Sequence, residues 1–130
     1  MTEKHPNAEA VLVLNAKIRE ALVGFAVEGV EISAHVPLKA GGSQLHYRTE
    51  GDRQHLYVLW HTHGTSGIVN WEGAGTRTKI QIAKALPRLR EEILHQMEVQ
   101  RLEVLEAAEE LVRFLSGLRG AEIREKIEKA

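Results

Sequence analysis

The chain has no cysteine in its 130 residues. A disulfide framework, a thiolate metal site and a cysteine nucleophile are therefore excluded, and any metal would have to be held by His, Asp or Glu. No apolar run reaches the roughly 18 residues that a membrane-spanning helix needs. The opening Met1-Thr2-Glu3-Lys4-His5-Pro6 has no basic segment followed by an apolar one, so a cytoplasmic protein without membrane association is expected. Internal repeats and low-complexity tracts are also missing. So is a strong excess of one charge: the net charge is -1 and the pI about 6.7, whereas dedicated nucleic-acid-binding domains are usually decidedly basic.

What is present is ordinary for a folded domain, with 43% apolar and 27% charged residues. The length fits one domain, residues 1–130, with 1–75 forming a helix plus sheet and 76–130 a helical region. The small net charge hides an uneven distribution. Residues 1–75 carry six bases and eight acids, and Thr76 to Arg90 carries Arg77, Lys79, Lys84, Arg88 and Arg90 with no acid. From Glu91 onward ten acids face six bases.

Periodicity organises the chain as an α+β fold. Asn7 is placed to cap a first helix, and Val11, Leu14, Ile18, Leu22 and Phe25 recur at helical spacing up to about Gly29. Val30, Ile32, Ala34 and Val36 then alternate with polar residues as a strand, which Pro37 closes. Gln44–Thr49 and Gln54–His63 flank Glu50-Gly51-Asp52-Arg53, a two-residue hairpin signal. With Gly51 and Asp52 as the loop, Glu50 faces Arg53, Arg48 faces His55, Tyr47 faces Leu56 and Leu45 faces Val58. That register puts Leu45, Tyr47, Leu56, Val58 and Trp60 on the core side. His46, Arg48, His55, Tyr57, Leu59, His61 and His63 fall on the other. His63 to Gly67 reads as a turn, and Ile68–Glu72 as a fourth strand of a three- to four-stranded antiparallel sheet. Trp60 and Trp71 read as core or edge packing in their strands.

From Thr76 or Thr78 the pattern is helical again, with an apolar stripe through Ile82, Leu86, Leu89, Ile93, Met97, Val104, Ala108, Leu111, Leu115 and Leu118. Pro87 predicts a kink or a fresh helix start, and Gly117 and Gly120 predict the end, with Ala121–Lys129 a fraying extension. Arg88 to Ser116 has neither glycine nor proline and would span roughly 43 Å as one helix, against a radius of gyration of about 14 Å for a compact domain of this size. Either the helix turns back near Gln96–Arg101, or its stripe packs on another copy. A homodimer through Leu89, Ile93, Met97, Val104, Leu111 and Leu115 is the expectation, with Gln100 as a polar interruption of the stripe.

Three constellations bear on function. The first joins the basic run to the outer sheet face: Arg77, Lys79, Lys84 and Arg88 would track a phosphate backbone, and Arg48 and Tyr57 would touch unpaired bases. The bland alternative is a solvated helix face paired with Glu91 and Glu92. The second is Trp60-His61-Thr62-His63-Gly64, whose two imidazoles project to one side of a strand. His61 and His63 with a carboxylate would suit zinc or iron and a polarised water for hydrolysis. This stretch resembles, over about four residues, the His-x-His-Pro core of the JAMM metalloproteases, a resemblance that would imply a metal-dependent hydrolase. Gly64 replaces that family's proline, and its Ser-x-x-Asp is absent. The third is the helical stripe itself, which suits self-association or a pure assembly adaptor.

No serine has a His and an acid set out by a motif, and the glycines around Thr76 lack the Gly-Lys-Ser/Thr of a phosphate loop. The expectation is a small module without enzymatic activity or cofactor, nucleic-acid-associated or protein-interacting and self-associating through its C-terminal helix. The metal-dependent enzyme stands as the alternative.

Overall fold

The computed structural model describes residues 6–25, 31–38, 42–62 and 64–129. It shows an α+β fold: helix α1 (Pro6–Phe25), strands β1 (Ser33–Pro37), β2 (Gln44–Glu50), β3 (Arg53–Thr62) and β4 (Thr65–Asn70), a 3-10 turn at Trp71–Gly73, and helix α2 (Thr76–Lys129). The chain divides into two units, Met1–Gln96 and Met97–Ala130.

In the first unit the four strands form an antiparallel meander in the order β1-β2-β3-β4. The hairpin register is the expected one, with Leu45 opposite Val58, Tyr47 opposite Leu56, Arg48 opposite His55 and Glu50 opposite Arg53. Gly51 carries the turn at φ +57°, the left-handed conformation that a two-residue primed loop requires and a side chain disfavours. On β1, Ala34 pairs with Tyr47 and Val36 with Leu45, so the alternation continues across the sheet. Ala34, Val36, Leu45, Tyr47, Leu56 and Val58 are buried, as are Ile18 and Phe25 of α1 and Ile82, Leu86, Leu89 and Ile93 of α2. Each large aliphatic side chain so buried contributes roughly 1.5–3 kcal/mol.

Several polar groups inside this core are hydrogen-bonded. The Tyr47 hydroxyl donates to the Phe25 carbonyl at 3.3 Å and accepts from Gln54 Nε2 at 2.8 Å. Gln54 also donates to the Leu22 carbonyl at 2.6 Å, which ties the end of α1 to β2 and β3. The Phe25 ring meets Tyr47 edge-on at 5.9 Å. Thr49 does similar work at the sheet margin, its Oγ1 accepting from the Ile32 amide at 2.8 Å.

Five expectations are corrected. Asn7 lies inside α1, which starts at Pro6; proline suits a first helical position, where its missing N–H would have no partner anyway. The predicted helix end near Gly29 and the His63 position lie outside the described residues. β4 begins at Thr65 instead of Ile68 and ends at Asn70, because Thr65 already pairs with Thr62 of β3 and Gly64 before it takes φ +78°. Gly67, read as turn chemistry, is a strand residue opposite Trp60. A Cβ built there would fall within the Trp60 ring, 2.9 Å from Nε1, so the glycine makes room for the indole and leaves Trp60 half-buried. Trp71 is buried in the 3-10 turn instead of a strand; the Asn70 carboxamide caps that turn, accepting from the Glu72 amide at 3.0 Å.

The last correction concerns α2, a single helix of 54 residues that contains Pro87 and runs through Gly117 and Gly120 to Lys129. Residues Gln96–Arg101, where a break was expected, are helical throughout. Pro87 is exposed and leaves the Ala83 carbonyl without its usual donor, a loss that water makes good at a surface position. The two glycines cost about 1 kcal/mol each relative to alanine without breaking the helix.

The second unit is the helix from Met97 onward, about 50 Å long at 1.5 Å per residue. Its well-formed polar contact is local: Arg101 donates to both Glu98 oxygens at 3.0 and 2.7 Å, which holds the Glu98 carboxyl below its usual range. Among the described residues no helix is long and apolar enough to cross a membrane.

Candidate functional site

The outer face of the sheet is built by register. His35, His46, Tyr57 and Asn70 stand opposite one another on the four successive strands. Strand spacing near 4.8 Å brings their side chains to stacking distance. The His35 and His46 rings are 5.0 Å apart and 16° from parallel, and those of His46 and Tyr57 are 5.2 Å apart and 10° from parallel. This three-ring ladder depends on the β1–β2 register, which local sequence does not fix, although His35 shares the alternation of His46. His46 Nε2 also meets Gln44 Oε1 at 3.1 Å. Burial, and then the neighbouring His35, hold His46 below the ordinary histidine value.

That geometry bears on the residues expected to touch bases. One face of the Tyr57 ring is already covered by His46. Arg48 sits 3.7 Å from Glu50, which also lies 3.5 Å from His55 Nε2. The outer face thus carries a self-stacked ring ladder beside a guanidinium that Glu50 partners.

The basic run separates into two places. Arg77, Lys84 and Arg88 are exposed and line a groove of about 600 Å³ together with Pro37, Leu38, Ile80, Gln81 and Ala85. Spacings of seven and four residues keep the three cations on one side of α2. Among the described residues none of the three has an ion-pair partner, so the expected pairing with Glu91 and Glu92 does not occur; Glu92 instead accepts from Gln96 at 3.0 Å. Lys79 goes elsewhere. It is 7% exposed, with its ammonium 6.0 Å from the Trp71 ring centre, and Arg19 stands 5.5 Å from the same ring. Three and seven residues separate Lys79 from the core positions Ile82 and Leu86, so helical phase carries it inward.

The metal alternative gains no site. His61 is exposed, opposite Ser66 on β4, and His63 is outside the described residues. Among the described residues no group of three or more His, Asp or Glu could hold a metal ion.

The residues expected at a dimer contact also separate. Leu89 and Ile93 are buried in the core of the first unit, and Met97 is half-buried. Beyond them the stripe is open: eight large apolar side chains from Leu102 to Leu118, including Val104, Leu111 and Leu115, are 45–62% exposed. No protein-family model, curated protein or solved structure matches the chain.

Proposed function

We propose that this chain is a non-enzymatic interaction module: a folded α+β head carrying a helical tail through which it self-associates. The observation that carries this reading is the open stripe from Leu102 to Leu118. An apolar surface of this extent, rimmed by Glu and Arg, marks an association site in a soluble chain. Isolated helices also draw most of their stability from packing an amphipathic face, and within its own unit this face packs on nothing. The stripe is the tail's chief means of stabilisation once covered.

Sedimentation equilibrium of the full chain across a hundredfold range of concentration tests this. An oligomer that dissociates on dilution is expected. A monomer at every concentration, with full helical signal, would overturn the reading.

A second reading rests on a separate observation. Arg77, Lys84 and Arg88 form an exposed cationic line with no carboxylate partner among the described residues. Such a line suits a phosphate backbone, and the module would then bring nucleic acid to its assembly. Tyr57 and Arg48 have no part in this version. Low-salt retention on nucleic acid supports it, and absence of retention ends it.

A further inference from the structure

We infer that the tail pairs with the tail of a second copy of this chain in the antiparallel sense, with Leu111 at the centre of the pair. The inference rests on the self-association proposed above and adds its direction and register.

The first argument is charge. Residues 97–112 carry five acids (Glu98, Glu103, Glu106, Glu109, Glu110) against Arg101 alone, a net of -4. Residues 113–129 carry five bases (Arg113, Arg119, Arg124, Lys126, Lys129) against three acids, a net of +2. The tail is thus acidic in its first half and basic in its second. Arg101 is already held by Glu98, whereas Glu103, Glu106, Glu109, Glu110, Arg113 and Arg119 have no ion-pair partner among the described residues. A parallel pair would set each half beside its like. An antiparallel pair sets acidic beside basic twice, at the 8–10 Å separation of packed helices, which is about one Debye length at physiological salt.

The second argument is size. A two-fold axis through Leu111 makes the pair isologous and brings Val104 level with Leu118 of the second copy. It also brings the Ala107-Ala108 step level with Phe114-Leu115 of the second copy. Small side chains then face large ones, which is how packed layers fill space without voids or clashes. In the parallel arrangement Ala107-Ala108 would face itself and leave a gap, while Phe114-Leu115 would crowd its own copy. At 100° per residue Val104 and Leu118 lie within about 20° of Leu111 around the axis, so all three point at the contact.

The chain's lack of cysteine makes disulfide trapping a clean test. A disulfide needs Cα atoms within about 7 Å. In the antiparallel pair Leu111→Cys crosslinks to itself, and Val104→Cys mixed with Leu118→Cys gives the hetero-crosslink. Val104→Cys alone does not crosslink, because its two copies are 14 levels apart, about 21 Å. Each variant is oxidised in the full chain and read by non-reducing electrophoresis beside its sedimentation mass. A self-crosslink of Val104→Cys would show a parallel pair, overturning the direction while leaving self-association intact. A dimer by mass in which Leu111→Cys fails to crosslink would overturn the register. Monomers throughout would overturn self-association itself.

Discussion

Leu111→Glu is the substitution on which self-association depends most directly. In the single chain Leu111 is 55% exposed, so just over half of its surface remains for a second copy to cover. Burying a whole leucine side chain is worth roughly 1.5–3 kcal/mol, which leaves about 0.8–1.6 kcal/mol per copy. In a symmetric pair the loss occurs twice, about 2–3 kcal/mol in all. At about 1.4 kcal/mol per tenfold, the dissociation constant should rise roughly 30- to 150-fold. That is a floor, because the introduced carboxylate must also be desolvated against an apolar surface. Sedimentation equilibrium at matched concentrations measures the change directly, and circular dichroism checks that the helix survives. Ser116→Glu adds the same charge about 140° around the helix from Leu111 and should leave the constant nearly unchanged. If Leu111→Glu associates as tightly as the parent, the stripe is not the contact and the reasoning is refuted.

Three further outcomes test the head. Gly67→Val should lower stability by about 1–3 kcal/mol in urea unfolding, since the new side chain must displace the Trp60 indole; an unchanged midpoint would mean the ring does not lie over Gly67. His46 is held below 6.5 by burial and by His35, so the unfolded chain takes up its proton first. The head is therefore most stable above that value and loses stability as pH falls through it. His46→Gln should flatten the decline between about pH 7.5 and pH 5, and an unaltered profile would remove His46 as its source. For the basic face, three phosphate contacts predict that log affinity for duplex DNA falls with log salt at a slope of roughly -3. The pair Arg77→Glu and Lys84→Glu should abolish retention, and binding that survives both changes would place the contact elsewhere.

How much of this was legible in the sequence depends on the range of the interaction involved. The β2–β3 register followed from one local signal, Gly51-Asp52, because a two-residue loop fixes every pair behind it. In the β3–β4 hairpin Thr65 pairs with Thr62, but Thr65-Ser66-Gly67 carries turn composition, and only the cross-strand indole of Trp60 explains a glycine in that strand. Lys79 was read as a surface charge because it belongs to a basic run. Its burial beside Trp71 depends on a residue that local periodicity had assigned to a strand. The ring ladder required pairing β1 with β2 in register, and the turn composition of Lys39 to Ser43 between them does not fix a register as a two-residue loop does.

The apolar stripe of α2 shows the same limit in another form. Ile82, Leu86, Leu89 and Ile93 share their spacing with Val104, Leu111, Leu115 and Leu118, and periodicity alone cannot separate the two groups. It reports which side of a helix is apolar and says nothing of what covers that side. The first group is buried within the first unit, which leaves Leu89 and Ile93 little surface to offer a second copy. The second group has no such cover within its own unit. What distinguishes the two in sequence is not hydrophobicity but charge: five bases with no acid from Thr76 to Arg90, then an acidic half and a basic half that would complement each other between two chains running in opposite directions.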